Sequence, residues 1–324
     1  MWIATDLHAH TYFSDGTASP EAVIEDRAQA GLAVVAVSDH DMLAGVSAAA
    51  RAAHSRGLCL LPAMEATAFF HFGQSTAEQV HILAYFPLHM LADDRLSQTF
   101  LYRRGLRVQG RWRDFVCSWL DDLQVDDRHA ISQPNPDNER DGVRALPDVP
   151  ASSFPGLQIL INRIVARRPQ IFRHFIRSHV RFWEADRALF GWSPEDLIDA
   201  IRADGAVDIV AHPARYRDKD RLARVLLGAS GVEAYTSRHR ADWAAQFRAF
   251  ADSNGKLWTA STDDHQKPGT AYDPPASPTP AHVVERLLGQ PLSTLPTLQD
   301  RITTAASCDR EPSPSPAPTL RSAS

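Results

Sequence analysis

The sequence predicts an α/β protein: a (β/α)7 barrel with an α-helical insertion after its fourth strand. Three observations carry that expectation. Seven short apolar runs alternate with helix-forming segments, a rhythm that favours parallel pairing and closure of the sheet. Almost every one of those runs ends on a His, Glu or Asp, and such barrels carry their chemistry at the C-terminal ends of the strands. The rhythm breaks once, from about residue 87 to residue 205, where the pattern turns helical and arginine-rich.

Strand one covers Trp2 to Leu7. Its helix opens on Ser19-Pro20-Glu21, a cap with proline near the first helical position and an acid in the first turn, and stops at Gly31. Strand two, Ala33–Val37, leads into Ser38-Asp39-His40, and a helix over Ala44–Arg56 stops at Gly57. Strand three, Leu58–Leu61, leads to Glu65; strand four, Gln79–Tyr85, carries His81. In the break, 95–123 reads as one long helix. The Pro/Asp/Asn-rich stretch 126–150 reads as a flexible loop, and two helical pieces cover 157–181 and 194–203. Strand five, Val207–Ala211, ends on His212. Strand six, Val232–Tyr235, precedes His239 and a helix over Ala241–Asn254, and strand seven, Lys256–Ala260, ends on Asp263-Asp264-His265. The organisation expected is a barrel from 1–86 and 206–272, a helical insertion or lid at 87–205, an extension at 273–308 and a disordered Pro/Ser-rich tail at 309–324.

At 324 residues with a net charge of −5, the chain is large enough for one such domain and the wrong sign for a nucleic-acid coat or membrane-surface protein. Three widely spaced cysteines fit neither a disulfide framework nor a thiolate zinc site. With no leader-like start and no run of roughly 20 apolar residues, a cytoplasmic enzyme without a membrane or obligate protein partner is expected.

The candidate ligands are His8, His10, Asp15, His40, Glu65, His81, His212, Asp263 and His265. His8 and His10 lie two apart in an extended chain, so their imidazoles share a face. Nine nitrogen and oxygen donors without sulfur suit two or three divalent ions, Mn²⁺, Zn²⁺ or Fe²⁺. Asp39, Asp41 and Asp264 are expected to orient imidazoles rather than bind ions. Arg103/Arg107/Arg111 and Arg173/Arg177/Arg181 recur at helical spacing, and are either solvated stripes or a lid that grips a second phosphate.

These stretches, from Asp6-Leu7-His8-Ala9-His10 through Ser14-Asp15-Gly16, Ser38-Asp39-His40-Asp41, Met64-Glu65, Ala211-His212-Pro213 and Asp263-Asp264-His265, resemble the polymerase-and-histidinol-phosphatase (PHP) phosphoesterases. The resemblance implies a distorted seven-stranded barrel with a trinuclear centre. It would place His8, His10, Glu65 and Asp263 on one ion, Glu65, His81 and His212 on a second, and Asp15, His40 and His265 on a third. Ala211–Tyr216 and Val232–His239 resemble the stand-alone branch that acts on nucleoside 3′,5′-bisphosphates and short oligoribonucleotides. The expectation is a metal-dependent phosphatase or phosphodiesterase, with Arg215 and His239 gripping the phosphate or protonating the leaving group. Alternatives are a histidinol-phosphate-type phosphatase, an amidohydrolase-like metal hydrolase and an inactive nucleotide-binding domain.

Overall fold

A computed structural model describes residues 1–134, 144–266 and 269–295. Its first half follows the predicted rhythm. β1 (Trp2–Ile3) and β2 (Thr5–Asp6) lead to α1 (Pro20–Gln29), whose first turn is capped by the Ser19 hydroxyl accepting from Ala22 N. Gly31 takes the left-handed conformation that ends the helix, at φ +76°. β3 (Val34–Val35), α2 (Val46–Ser55) and β4 (Cys59–Leu60) follow, and β2, β3 and β4 pair in parallel.

β5 (Ala63–Phe70) and β6 (Glu78–Tyr85) then form an antiparallel pair, and β6 is also antiparallel to β7 (Val207–Val210). The expected all-parallel order is therefore corrected at the fourth strand. Only residues 71–77 link β5 to β6, enough for a hairpin, whereas a parallel crossover needs a dozen residues or more. β5 was not among the seven expected strands: strand three was read as ending at Leu61, the place of β4, whereas Ala63–Phe70 is buried throughout and forms a strand of its own.

Between β6 and β7 run α3 (Phe100–Asp121), α4 (Val125–Ser132), α5 (Leu157–Arg167), α6 (Phe172–Val180), α7 (Arg187–Phe190) and α8 (Pro194–Ala203). The stretch 126–150, expected to be a loop, is helical in its first part, and Ile131 and Leu146 are buried. Residues 135–143 lie outside the described ones. The insertion has its own aromatic core, around Trp112, Trp119, Phe154, Phe175 and Phe190. It docks at two close approaches. The buried Arg104 guanidinium donates to Asp41 Oδ1 at 2.5 Å, beside Gly105, where a Cβ would meet the Asp41 carbonyl at 2.8 Å. Gly156 donates to Tyr12 O at 2.9 Å and has no room for a Cβ against the Ser14 carbonyl.

α9 (Lys219–Gly228), β8 (Gly231–Tyr235), α10 (Ala241–Ser253) and β9 (Leu257–Ala260) restore the rhythm, with β7, β8 and β9 parallel. β10 (Thr279–Pro280) pairs with β1, and α11 (Ala281–Leu288) covers that edge. The tail expected at 309–324 lies outside the described residues. Beyond the named strands, two parallel bridges, Ala9 to Asp264 and His40 to Glu65, join the tips of the sheets. His10 N donates to Asp264 O at 3.0 Å, and Glu65 N to Ser38 O at 3.1 Å. Among the described residues no helix is long and apolar enough to cross a membrane.

Candidate metal centre

The bridged strand tips bring all nine predicted donors to one place. Glu65, fully buried on β5, lies at its middle. Its Oε2 lies 3.1 Å from both His8 Nε2 and His10 Nε2 and 3.2 Å from His40 Nδ1. Its Oε1 lies 2.9 Å from both His81 Nδ1 and His212 Nε2. Asp263 Oδ1 approaches His8 Nε2 at 3.5 Å and His10 Nε2 at 3.3 Å. Asp15 reaches His10 at 3.4 Å, His265 at 3.2 Å and, through its other oxygen, His40 at 3.6 Å.

Three compact sets emerge: His8, His10, Glu65 and Asp263; His40, Glu65 and His81; His10, Asp15, His40 and His265. The first is the set the resemblance implies. Over the three sets His10, His40 and Glu65 each occur twice, while His212 approaches the centre through Glu65 Oε1. The donors suit cations on a direct observation. Glu65 Oε2 and His81 Nδ1 are buried yet make no hydrogen bond, although neighbours lie within 3.2 Å. Lone pairs that converge without bonding one another are arranged for a positive centre.

Charge completes the arrangement. Burial opposes ionisation of His8, but Glu65, Glu233 and Asp263 outweigh it and hold its pKa well above the ordinary value. His10 is likewise disfavoured by burial yet carried to about 10 by Asp15, Asp263 and Glu65. At His81 burial wins, and the pKa falls to about 4. Burial pushes the Asp15 and Glu65 carboxyls up, yet the surrounding imidazoles hold both far below the usual carboxylate range. Three residues of the site region hold left-handed backbone, Asp41 (φ 54°), His212 (φ 29°) and Asp263 (φ 55°), strain that costs of order 1–3 kcal/mol each and is typical of functional positions.

The residues that orient the ligands differ from those expected. Glu233 holds His8 Nδ1 at 2.9 Å, accepts from His212 N at 2.7 Å and accepts the Ser261 hydroxyl. The sequence reading missed it; its only signal was a carboxylate inside the apolar run Val232–Tyr235. Tyr216, also missed, accepts from His81 N at 2.9 Å and lies 3.3 Å from His212 Nδ1. By contrast, Asp39, Asp41 and Asp264 touch no imidazole. Asp39 accepts from Thr11 and Ser14 and braces the Asp15 loop, Asp41 holds Arg104, and Asp264 holds Arg27. Short side chains at those strand tips reach backbone and neighbouring loops before they reach a ring.

A cavity of about 230 Å³ opens above the cluster. Asp15, His40, Glu65, His81, His212, Asp263 and His265 contribute to its lining, and so do Arg215 and Arg238. Arg238, not singled out from sequence, donates to Asp263 Oδ2 at 2.5 Å. His239 does not line the cavity and has a different place from the expected one. Its Nδ1 donates to Ala234 O at 2.8 Å, leaving Nε2 to accept from Ala214 N at 3.4 Å. Both ring nitrogens are spent on backbone, and burial lowers the pKa, so the ring braces the turn that carries Arg215.

The arginine stripes take the solvated one of their two readings. All six residues are exposed and none lines this cavity. The inward face of α3 is Leu101, Arg104, Val108, Trp112 and Val116, and that pattern turns Arg103, Arg107 and Arg111 outward. Phe175, His179 and Phe182 pack inward on the second piece and leave Arg173, Arg177 and Arg181 in solvent. His174 accepts from Trp119 Nε1 at 3.1 Å.

Residues 6–103 match the PHP domain family. The chain is 26% identical over 283 residues to a 3′,5′-nucleoside bisphosphate phosphatase of Chromobacterium violaceum, covering 82% of this chain and 87% of that protein. It is 36% identical over 226 residues to the 5′-3′ exoribonuclease Rnm of Salmonella typhimurium, covering 65% and 66% respectively. A solved Bifidobacterium adolescentis structure described as a metal-dependent phosphoesterase matches its fold with a TM-score of 0.58, at 24% identity, over 89% of this chain and 96% of that one.

Proposed function

We propose that the chain is a PHP-type metal-dependent phosphoesterase and that it hydrolyses a phosphate ester of a nucleotide, either a nucleoside 3′,5′-bisphosphate or a short oligoribonucleotide. The observation that carries this reading is the convergence of five imidazoles on the two oxygens of Glu65 at the floor of an open cavity. A lone structural ion would need neither so many donors nor the opening.

His8, His10, Asp15, His40, Glu65, His81, His212, Asp263 and His265 would hold two or three Mn²⁺, Zn²⁺ or Fe²⁺ ions. When bound, such ions supply a water acidified toward neutral pH and positive charge for the phosphoryl oxygens. The chain's own residues do the rest. Asp15, Glu65 and Asp263 are ionised before any ion arrives, so these ligands need lose no proton. Glu233 and Tyr216 fix His8 and His212. Arg215 and Arg238, at the cavity, are the groups able to bind phosphate oxygens, and His239 positions the Arg215 turn.

We also read the strands as a distorted (β/α)7 barrel. Taken in the order β2, β3, β4 with β5, β6, β7, β8 and β9, they return to the first strand through the Ala9–Asp264 bridge, which supports closure. Residues 1–86 and 206–272 would form that barrel, and 87–205 a lid over its mouth. The cytoplasm is the proposed compartment: Cys59 and Cys117 are both free, and burial carries Cys59 to about 11, an inert thiol.

The test is turnover of a nucleoside 3′,5′-bisphosphate, a short oligoribonucleotide and histidinol phosphate by metal-stripped protein with each ion restored. Hydrolysis of a nucleotide substrate that returns with the metal is expected. Turnover of histidinol phosphate alone would overturn the nucleotide assignment, and full turnover without metal would overturn the mechanism.

A further inference from the structure

The insertion's contribution to the cavity contains no formal charge. Its lining residues there are Val108, Trp112, Gly156, Leu157, His179, Phe182 and Trp183, while every Asp, Glu and Arg at the cavity comes from the other segments. The insertion therefore offers no charged group to a second phosphate in this cavity. What it offers is ring faces. Trp112 and His179 meet edge to face with centroids 5.6 Å apart, His179 and Phe182 stack at 6.4 Å, and Phe182 and Trp183 meet at 5.1 Å. Trp112 and Phe182 are largely core, at 7% and 5% exposed, but His179 and Trp183 remain partly open.

Resting on the phosphoesterase reading of the cavity floor, we infer that this wall is a subsite for a planar aromatic heterocycle joined to the phosphate ester, with Trp183 as its face and His179 as its hydrogen-bonding edge. His179 is the second, independent indication. Its imidazole makes no hydrogen bond among the described residues, although it stands in the wall of a cavity. Burial lowers its pKa, so near neutrality it carries one donor and one acceptor, the pairing that a heterocycle's edge presents in return. Base-on-aromatic stacking tolerates any base because each has a π-face, and it strengthens binding by about tenfold or more per stacked ring. The subsite thus selects for a nucleobase-like ring, with little preference among bases beyond the His179 contact.

The experiment is calorimetric titration of metal-loaded protein with adenosine 5′-monophosphate and with ribose 5-phosphate, which share the phosphate and differ in the ring. The wild type is expected to bind the nucleotide about tenfold or more tightly. Trp183→Leu and His179→Leu should bring the nucleotide toward the sugar phosphate while leaving the sugar phosphate unchanged, and His179→Gln should recover part of the loss. Thermal melts identify a variant that does not fold, and His179→Gln then carries the test. Equal affinity of the wild type for the two ligands, or parallel weakening of both in the variants, would overturn the subsite. Failure to hydrolyse any nucleotide would instead overturn the proposed function, since the binding difference does not depend on turnover.

Discussion

Glu65→Gln perturbs the centre at its most shared point while keeping the side chain's shape. The wild-type carboxylate approaches His8, His10 and His40 through Oε2 and His81 and His212 through Oε1, and it belongs to two of the three compact donor sets. Asp15 belongs to one. Binding of about 10–16 kcal/mol for a four-ligand ion gives about 3 kcal/mol per ligand. Loss of one ligand therefore weakens an ion by about a hundredfold. Glu65→Gln should impose that loss on both ions it would touch, and Asp15→Asn on one. The assay is metal content per chain by elemental analysis, after equilibration against graded chelator. Expected is release of two ions from Glu65→Gln at chelator levels about a hundredfold below those the wild type resists, and of only one from Asp15→Asn. If Glu65→Gln keeps as much metal as Asp15→Asn, the carboxylate is not shared and the reasoning fails.

Arg104→Met should destabilise the fold by about 3–5 kcal/mol, because it leaves the buried Asp41 carboxylate without its cationic partner. Urea unfolding measures it, and adding Asp41→Asn should restore part of the loss; a cost under about 1 kcal/mol would mean that the pair does not dock the insertion. Alanine at Arg107 or Arg177 should change stability by no more than about 0.5 kcal/mol, as for ordinary surface positions. Turnover of the nucleotide substrate should stay at wild-type kcat/KM in both, and a tenfold loss in either would restore the stripes to the site.

What was legible in the sequence and what was not divide along a physical line. The His-x-His pair was readable because strand geometry is local: a side chain's face follows from its distance along an extended chain. Glu65 was placed just past a strand and lies instead within β5. The parallel pairing expected at β6 failed for a reason equally present in the sequence. With strand three ending at Leu61, residues 62–78 left room for a crossover; the buried run Ala63–Phe70 fills that gap with β5, and the seven residues left over, 71–77, are too few for one.

The orienting groups were harder because they act across the fold. Glu233 reaches His8 over 225 positions, and Asp41 meets Arg104 over 63, so neither spacing nor composition announces the contact. The stripes show the opposite failure, where a local pattern was read correctly as helical but its direction was open. Helical period places Arg103, Arg107 and Arg111 on one line, yet only the apolar line beside it, Leu101, Val108, Trp112 and Val116, says which side is buried. A charge stripe opposite an apolar stripe faces water, because moving three guanidinium groups inward would cost far more than turning the helix to bury Trp112 and Val116.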